Sequence, residues 1–209
     1  MRRIKKSNPP KELIKFILHD NPKCWKDLIF SKNYPNLHED CLNQLWEEQH
    51  GLCGYTELPL HRNRNLHIDH FRKQSLFKSP NDIFNWDNLI GAMHFLFFGA
   101  DSKDAKGKEL DYSKLINPTE DEPHDFFTYM NNGSIIARRG LSKQDKERAE
   151  YTIEVFNLNH QSLIDKRKNA IMYASNYMKC NMNVGDIVAS MSNIGLVSVL
   201  EYTCNTYSE

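Results

Sequence analysis

The spacing of the apolar residues changes along this chain, and the change predicts its fold class. Apolar side chains recur every three or four residues over residues 163–178, which is typical of a helix with one buried face. Residues 13–18 show the same spacing, with Leu13, Ile14, Ile17 and Leu18 expected on one helix face, and so do residues 42–49. Between these helical stretches, LCGYT at 52–56 and LHIDHF at 66–71 are short segments of the length expected for strands. We therefore expect an α+β chain, with a small strand-containing module embedded in a mostly helical protein.

These patterns divide the chain into three parts. We expect an N-terminal helical segment at 1–50, a module that carries the functional site at 51–110 and a mainly helical C-terminal region at 111–209. In the C-terminal region, Ser142 and Asp145 have the spacing of a capping box, and a further helix is expected at 187–200. Several amphipathic helices are more than a small site module needs, so we expect a partner interface in this region.

The charge balance of the chain is neutral, with 27 basic and 27 acidic residues. A protein that holds nucleic acid alone usually carries a basic surplus, because it must neutralise phosphates. If the chain binds nucleic acid, either its cationic residues gather on one face or a partner supplies much of the affinity. No apolar run approaches the roughly 20 residues that span a bilayer. The basic start is followed by no apolar stretch, so we expect a cytoplasmic protein without a secretory signal or a membrane span.

The five cysteines of the chain show no pair two residues apart. An odd number without a pairing pattern predicts reduced thiols in a reducing compartment. Most of them are expected to be buried as small apolar groups. A cysteine-rich zinc site is therefore not predicted.

A small set of polar residues has the composition needed for phosphodiester hydrolysis: Asp69, His70, Asn88, Asp101 and Asp104. A histidine suits the activation of water, because its pKa lies near neutral pH. A divalent cation suits the stabilisation of charge, and Mg²⁺ prefers carboxylate oxygens. Adjacent strand residues point to opposite faces, so one of Asp69 and His70 can hold metal while the other addresses water. Asn88 is expected to form hydrogen bonds that fix the loop carrying His70.

Each of these residues also has a purely structural explanation. An Asp-His pair is common in proteins, and Asn88 has the character of a turn or cap residue. Asp101 and Asp104 are typical acids of a first helical turn, where the helix dipole favours them. His67 is expected at the surface or in packing, and Glu57 is a more distant ligand candidate in the preceding loop.

The order of three segments resembles the HNH endonuclease family: GLCGY at 51–55, IDHF at 68–71 and WDNL at 86–89. The likeness is greatest to the HNH subunit of the Septu antiphage systems, which is also found with some retrons. It extends nearly end to end, from RRI at 2–4 to LN at 158–159. The resemblance implies a ββα-metal module and hydrolysis of nucleic-acid phosphodiesters, with DNA as the first substrate and RNA, including tRNA, as the second. It also implies a role in antiviral defence and an ATPase subunit as partner in a hetero-oligomer.

The resemblance assigns three roles by position. His70 matches the general base, Asp69 matches the adjacent metal ligand, and Asn88 matches the asparagine that orients the base. One divalent ion, Mg²⁺ or Mn²⁺, is implied. Cys53 has Thr56 where the second cysteine of a zinc pair stands in relatives, so we expect no structural zinc.

The third position of the motif departs from the family pattern. Many relatives have a cysteine-bearing turn with an asparagine or histidine ligand, whereas this chain has FGADSKD at 98–104. Asp101 is our first choice for the second metal ligand, with His94 and Asp104 as alternatives. Lys103 and Arg72 are the expected phosphate contacts, although a solvated lysine is an equal alternative for Lys103.

Two other functions stay open at this point. The module can be a degenerate, non-catalytic adaptor that binds nucleic acid or an ATPase, which the neutral charge and the missing zinc cysteines favour. The joint presence of Asp69, His70 and Asn88 favours the nuclease. A phosphatase or other metal hydrolase is a third possibility.

Overall fold

The computed structural model describes residues 1–62, 64–107 and 110–207. Helices make up most of the regular structure, and two small antiparallel sheets complete an α+β chain, as predicted. Within the described residues, no helix is long and apolar enough to cross a membrane. The helices are α1 (Lys11–Asp20), α2 (Trp25–Ile29), α3 (Leu37–Glu48), α4 (Ala100–Ala105), α5 (Pro123–Phe126), α6 (Lys143–Val155), α7 (Gln161–Lys179), α8 (Val184–Ser190) and α9 (Val197–Tyr207). The strands are β1 (Leu66–His70), β2 (Leu89–Met93), β3 (Phe127–Tyr129) and β4 (Ile135–Ala137).

The N-terminal helices share a second, smaller core with Phe84, Trp86 and Leu89 of the central module. Leu13 and Phe16 of α1 are fully buried, whereas Ile14 and Leu18 are exposed. The buried face is therefore rotated from the predicted one, because the Phe16 ring packs edge-on against Phe84 and draws that side of the helix inward. The helix itself is confirmed.

The central sheet is a hairpin of β1 and β2, paired antiparallel from Leu66 opposite Met93 to His70 opposite Leu89. The predicted strand at 66–71 is thus confirmed over residues 66–70. The predicted strand at 52–56 is wrong, because these residues form a turn with a single bridge from Leu52 to Pro59. Backbone hydrogen bonds close that turn at both ends, from Cys53 N to Leu58 O and from Glu57 N to Cys53 O.

The side chain of Gln49, directly after α3, holds the hairpin through two hydrogen bonds to β2. The Gln49 amide accepts from Gly91 N at 2.7 Å and donates to Gly91 O at 2.7 Å. A Cβ atom at Gly91 would lie 3.1 Å from Gln49 Nε2 and 3.2 Å from Gln49 Oε1, so a larger residue in β2 would have to displace the Gln49 amide. This clamp couples the N-terminal helices to the sheet that carries the site.

The C-terminal region is mainly helical, as predicted, but one predicted helix is interrupted. Ser142 caps α6 by accepting from Asp145 N at 3.1 Å, so its half of the predicted capping box is confirmed. The Asp145 carboxylate instead accepts from Ser142 Oγ at 2.8 Å. The single helix predicted at 187–200 is wrong, because the chain turns between α8 and α9 with positive φ at Gly195 and Leu196. Leu196 N donates to Glu57 O at 2.9 Å, which fixes this turn. The β3–β4 hairpin was not predicted.

One apolar core joins the central module to the C-terminal helices. The buried rings of Tyr55 and Phe71 both stack on Phe156, with centroid distances of 4.4 and 6.5 Å. Gly99 N donates to Phe156 O at 2.9 Å, which ties the start of α4 to the end of α6. The position of α4 against the β1–β2 hairpin therefore depends on the C-terminal region.

Candidate functional site

A groove of about 670 Å³ runs along β1 and past the start of α4. Residues from β1, from the loop after it and from the start of α4 form its walls. It brings together five of the predicted site residues: Asp69, His70, His94, Asp101 and Asp104. Further lining residues include Arg64, His67, Lys73 and Gln74.

His70 ends β1 and has both ring nitrogens in defined contacts. Its Nε2 lies 2.9 Å from Ile83 O, and a carbonyl only accepts, so Nε2 carries the proton. Its Nδ1 then has the free lone pair and lies 3.3 Å from the Gln74 amide nitrogen, which donates to it. The Trp25 ring meets the imidazole edge-on, with centroids 4.7 Å apart. The contacts fix both the tautomer and the direction of the ring.

Burial lowers the pKa of His70 to about 4. The Ile83 carbonyl acts in the opposite direction, and the nearby Lys103 ammonium lowers the pKa further. The imidazole is therefore neutral at neutral pH, and its Nδ1 lone pair, which accepts from Gln74, is available once that amide moves away. A general base works best when its pKa lies near the operating pH, so the buried imidazole is a weaker base than the sequence predicts.

Asn88 holds the chain that follows His70. Its side-chain Nδ2 donates to Arg72 O at 3.0 Å, and its Oδ1 accepts from Arg72 N at 2.8 Å. Its main-chain carbonyl accepts from Phe71 N at 2.9 Å. The predicted hydrogen bonds to the loop carrying His70 are thus confirmed, while a role in catalysis stays a prediction. The Arg72 side chain is exposed, and it is Arg64 and Lys73 that line the groove.

Asp69 is paired with a cation that the chain itself supplies. The Lys103 side chain is fully buried, and its Nζ lies 2.8 and 3.0 Å from the two Asp69 carboxylate oxygens. It also donates to His70 O at 2.6 Å, and the Tyr55 hydroxyl donates to Asp69 Oδ2. Burial raises the pKa of Asp69, and the contacts with Lys103 and Tyr55 oppose that shift.

These contacts change the interpretation of Lys103. We predicted a contact from Lys103 to the scissile phosphate, but its ammonium has no exposed atom to offer and is surrounded by acceptors of the protein. In this arrangement Lys103 neutralises Asp69. Neither a phosphate contact nor a solvated surface lysine describes it.

The residues predicted to bind metal lie along the same groove without forming a ready-made centre. Asp101 Oδ2 accepts from Phe95 N at 2.7 Å and lies 3.1 Å from His94 Nδ1, whereas Asp69 is paired with Lys103. Over the described part of the chain, no three or more His, Cys, Asp or Glu side chains are grouped to hold a metal ion. The predicted Asp69–Asp101 ligand pair therefore does not fit a divalent ion as it stands, because the Asp69 charge is already balanced.

Two residues at the site were given no functional role from the sequence: His67, which was expected at the surface or in packing, and Tyr55. His67 lies two residues before Asp69 on β1, a spacing that places both on one face of the strand. Its Nδ1 is buried, with no hydrogen-bond partner among the described residues, and its ring meets that of His94 at 5.3 Å between centroids. Burial lowers the pKa of His67. Tyr55 sits on the turn before β1, and no local pattern indicates its contact with Asp69.

The remaining ligand candidates lie elsewhere. Glu57 is buried and accepts from the Met1 ammonium at 2.6 Å and from Ser198 N at 2.9 Å. Cys53 lies against the hairpin, where Met93 N donates to its sulfur at 3.3 Å. Both side chains therefore have structural partners away from the groove.

Comparison with known proteins adds no family assignment. No protein-family model matches the chain, and no curated protein matches it. The function must therefore be argued from the chemistry of the groove.

Proposed function

We propose that this chain is an HNH-type endonuclease that hydrolyses nucleic-acid phosphodiesters at this groove. The observation that carries the proposal is His70, which lines the groove with its ring oriented by Ile83 O, the Gln74 amide and Trp25. The order of the surrounding elements, two antiparallel strands followed by a short helix, supports a ββα module. DNA is the first substrate and RNA, including tRNA, the second.

In the proposed reaction, a water molecule replaces the Gln74 amide at His70 Nδ1. His70 takes a proton from that water as its oxygen forms a bond to phosphorus and the bond to the leaving oxygen breaks. The leaving oxygen takes a proton from solvent, and His70 later returns its own proton to solvent. General-base catalysis typically accelerates such a step by about 10²–10⁴-fold. Asn88 acts as a positioning residue, because it holds the main chain directly after His70.

The predicted Mg²⁺ or Mn²⁺ ion remains part of the proposal without an assigned step. Asp101 is its first groove-facing donor, with His94 and Asp104 as alternatives. Asp69 can join them only if Lys103 leaves its carboxylate. Arg64 and Lys73 line the groove and are the cations best placed to contact non-bridging phosphate oxygens.

The test is cleavage of labelled DNA and RNA by purified protein with Mg²⁺, with Mn²⁺ and with a chelator. We expect His70→Gln and His70→Ala to lose about 10²–10⁴-fold of the rate while keeping the wild-type circular dichroism spectrum. His19→Gln, which changes an exposed histidine on α1, is the matched control and should cleave normally. Turnover by either His70 variant at the wild-type rate contradicts the assignment.

A non-catalytic adaptor is the second candidate, and the Lys103–Asp69 pair favours it. A carboxylate that is already neutralised is a poor metal ligand. The net charge of zero also provides little electrostatic affinity for a polyanion. An adaptor should bind nucleic acid yet show no His70-dependent cleavage with any of the divalent ions.

We also propose that the chain works beside an ATPase subunit in antiviral defence. Exposed apolar side chains on α7, including Met172, Tyr173 and Tyr177, support a partner surface in the C-terminal region. Co-expression with the neighbouring gene product, followed by size-exclusion chromatography with light scattering, tests it. A monomer with full, nucleotide-independent activity contradicts this assembly and leaves the nuclease proposal standing.

A further inference from the structure

The loop between β2 and α4 exposes an unusual run of apolar side chains. Phe95, Leu96 and Phe97, which we call the aromatic loop, are 37%, 74% and 59% exposed. Single exposed apolar residues are normal, but three consecutive ones mark a binding surface more often than a packing defect. The aromatic loop therefore requires an explanation that the proposed hydrolysis does not supply.

The rings of the aromatic loop are held in place from behind. Phe97 stacks on His160 with centroids 5.8 Å apart and planes 6° from parallel. Phe95 stacks on the buried Phe98 at 4.3 Å and 19°. Asn157 Nδ2 donates to Phe97 O at 2.8 Å and anchors the backbone of the loop. Each ring is thus supported by a neighbouring ring and open to solvent, so binding a flat ligand costs little ordering.

The aromatic loop is joined to the groove at both of its ends. His94 precedes it and Asp101 follows it closely, and both residues line the groove. Phe95 N donates to Asp101 Oδ2 at 2.7 Å, which links the backbone of the loop to a groove-lining residue. The aromatic loop therefore lies next to the groove in the fold.

The residues that line the groove have little net charge with which to attract phosphate groups. Among the described residues that line the groove, Arg64 and Lys73 are matched in number by Asp101 and Asp104, and Lys73 Nζ lies 3.9 Å from Asp104 Oδ1. The Asp69 charge is met by Lys103. Phosphate neutralisation therefore provides little affinity, and a substrate must be held by other means. Stacking of a base on an aromatic ring contributes about 5- to 150-fold in affinity and does not depend on sequence.

We propose that Phe97 and Phe95 stack on nucleobases of single-stranded nucleic acid as it enters the groove. The inference rests on the proposed function, which places a polynucleotide at His70. Bases in an intact duplex are paired and stacked, so they cannot reach the rings. The substrate class is therefore single-stranded DNA or RNA, or an unpaired segment within a duplex.

Fluorescence anisotropy with labelled 12-mers tests the inference in the full chain. The probes are oligothymidylate, oligouridylate, an abasic 12-mer with the same phosphates and a 12-bp duplex. We expect Phe97→Ala to weaken binding of the base-containing strands about 5- to 150-fold and to leave abasic binding unchanged, with Phe97→Trp restoring affinity. Phe30→Ala changes a still more exposed ring, 75% exposed, at the end of α2 and should have no effect. For two described groove cations that neutralise phosphates, the slope of log K against log salt concentration should be about −1.4 for single strands.

The outcomes separate this inference from the proposed function. His70-dependent cleavage by a wild-type protein that binds abasic and base-containing strands equally overturns the inference and leaves the nuclease standing. Base-dependent binding that Phe97→Ala abolishes, without any cleavage, supports the inference and contradicts the nuclease. If Phe97→Ala binds oligonucleotides as tightly as the wild type, the stacking inference is also overturned. A protein partner is then the remaining explanation for the exposed aromatic loop.

Discussion

Replacing Lys103 by methionine tests whether the buried ion pair holds the candidate site together. The substitution keeps the length of the side chain but removes the ammonium from both Asp69 oxygens and from His70 O. Asp69 is then left buried with only the Tyr55 hydroxyl as partner. Breaking a buried pair by removing one member typically costs about 3–5 kcal/mol. For a chain of this size, that corresponds to a fall of about 6–20 °C in Tm.

The assay is urea unfolding of Lys103→Met, Asp69→Asn and the double variant, followed by circular dichroism. The double variant should be more stable than the sum of the two single effects predicts, because it leaves no unpaired charge. Burial raises the pKa of Asp69, so the Lys103→Met deficit should shrink as the pH falls from about 8 towards about 4 and the carboxyl takes up a proton. Lys106→Met, which removes a half-exposed lysine next to α4, should change stability by less than about 0.5 kcal/mol. A cost below about 1 kcal/mol for Lys103→Met, additive with Asp69→Asn, refutes the reasoning.

Three further predictions concern the groove. The free energy of unfolding should fall by up to about 3 kcal/mol as the pH drops from about 6.5 to about 4, because the unfolded state protonates His70 before the folded state does. In urea titrations at pH 7 and pH 5, His70→Gln should lose this contribution to the pH dependence. Asn88→Ala should slow cleavage about 10- to 100-fold with little change in oligonucleotide affinity, because it frees the Arg72 backbone that follows His70; equal losses in rate and affinity would assign Asn88 to binding. Asp101→Ala should weaken Mn²⁺ binding in calorimetry, and if His94→Ala alone weakens it, the predicted ligand is His94.

The sequence predicts those elements whose apolar spacing is regular. The helix around residues 13–18, the stripe at 163–178 and the strand at 66–70 all follow from that spacing, which is a property of the local chain. The strand at 52–56 and the continuous helix at 187–200 are wrong for one shared reason. Glu57 and Leu196 adopt positive φ, and a hydrogen bond from Leu196 N to Glu57 O ties the two turns together across the fold. A contact between residues so distant in sequence leaves no periodic signal in either segment.

The sequence by itself determined which residues are chemically able to act: a histidine and a carboxylate at the end of one strand, and an asparagine further along. It also predicted hydrogen bonds from Asn88 to the loop carrying His70, but only the β1–β2 hairpin of the structure explains how the two meet. Only the tertiary structure decided that Lys103 meets Asp69, 34 residues away, and that Phe97 stays in solvent. The packing of α4 against the hairpin determines where the lysine ammonium lies. A charged side chain binds whichever partner the fold brings within hydrogen-bond distance, and sequence spacing does not determine that distance.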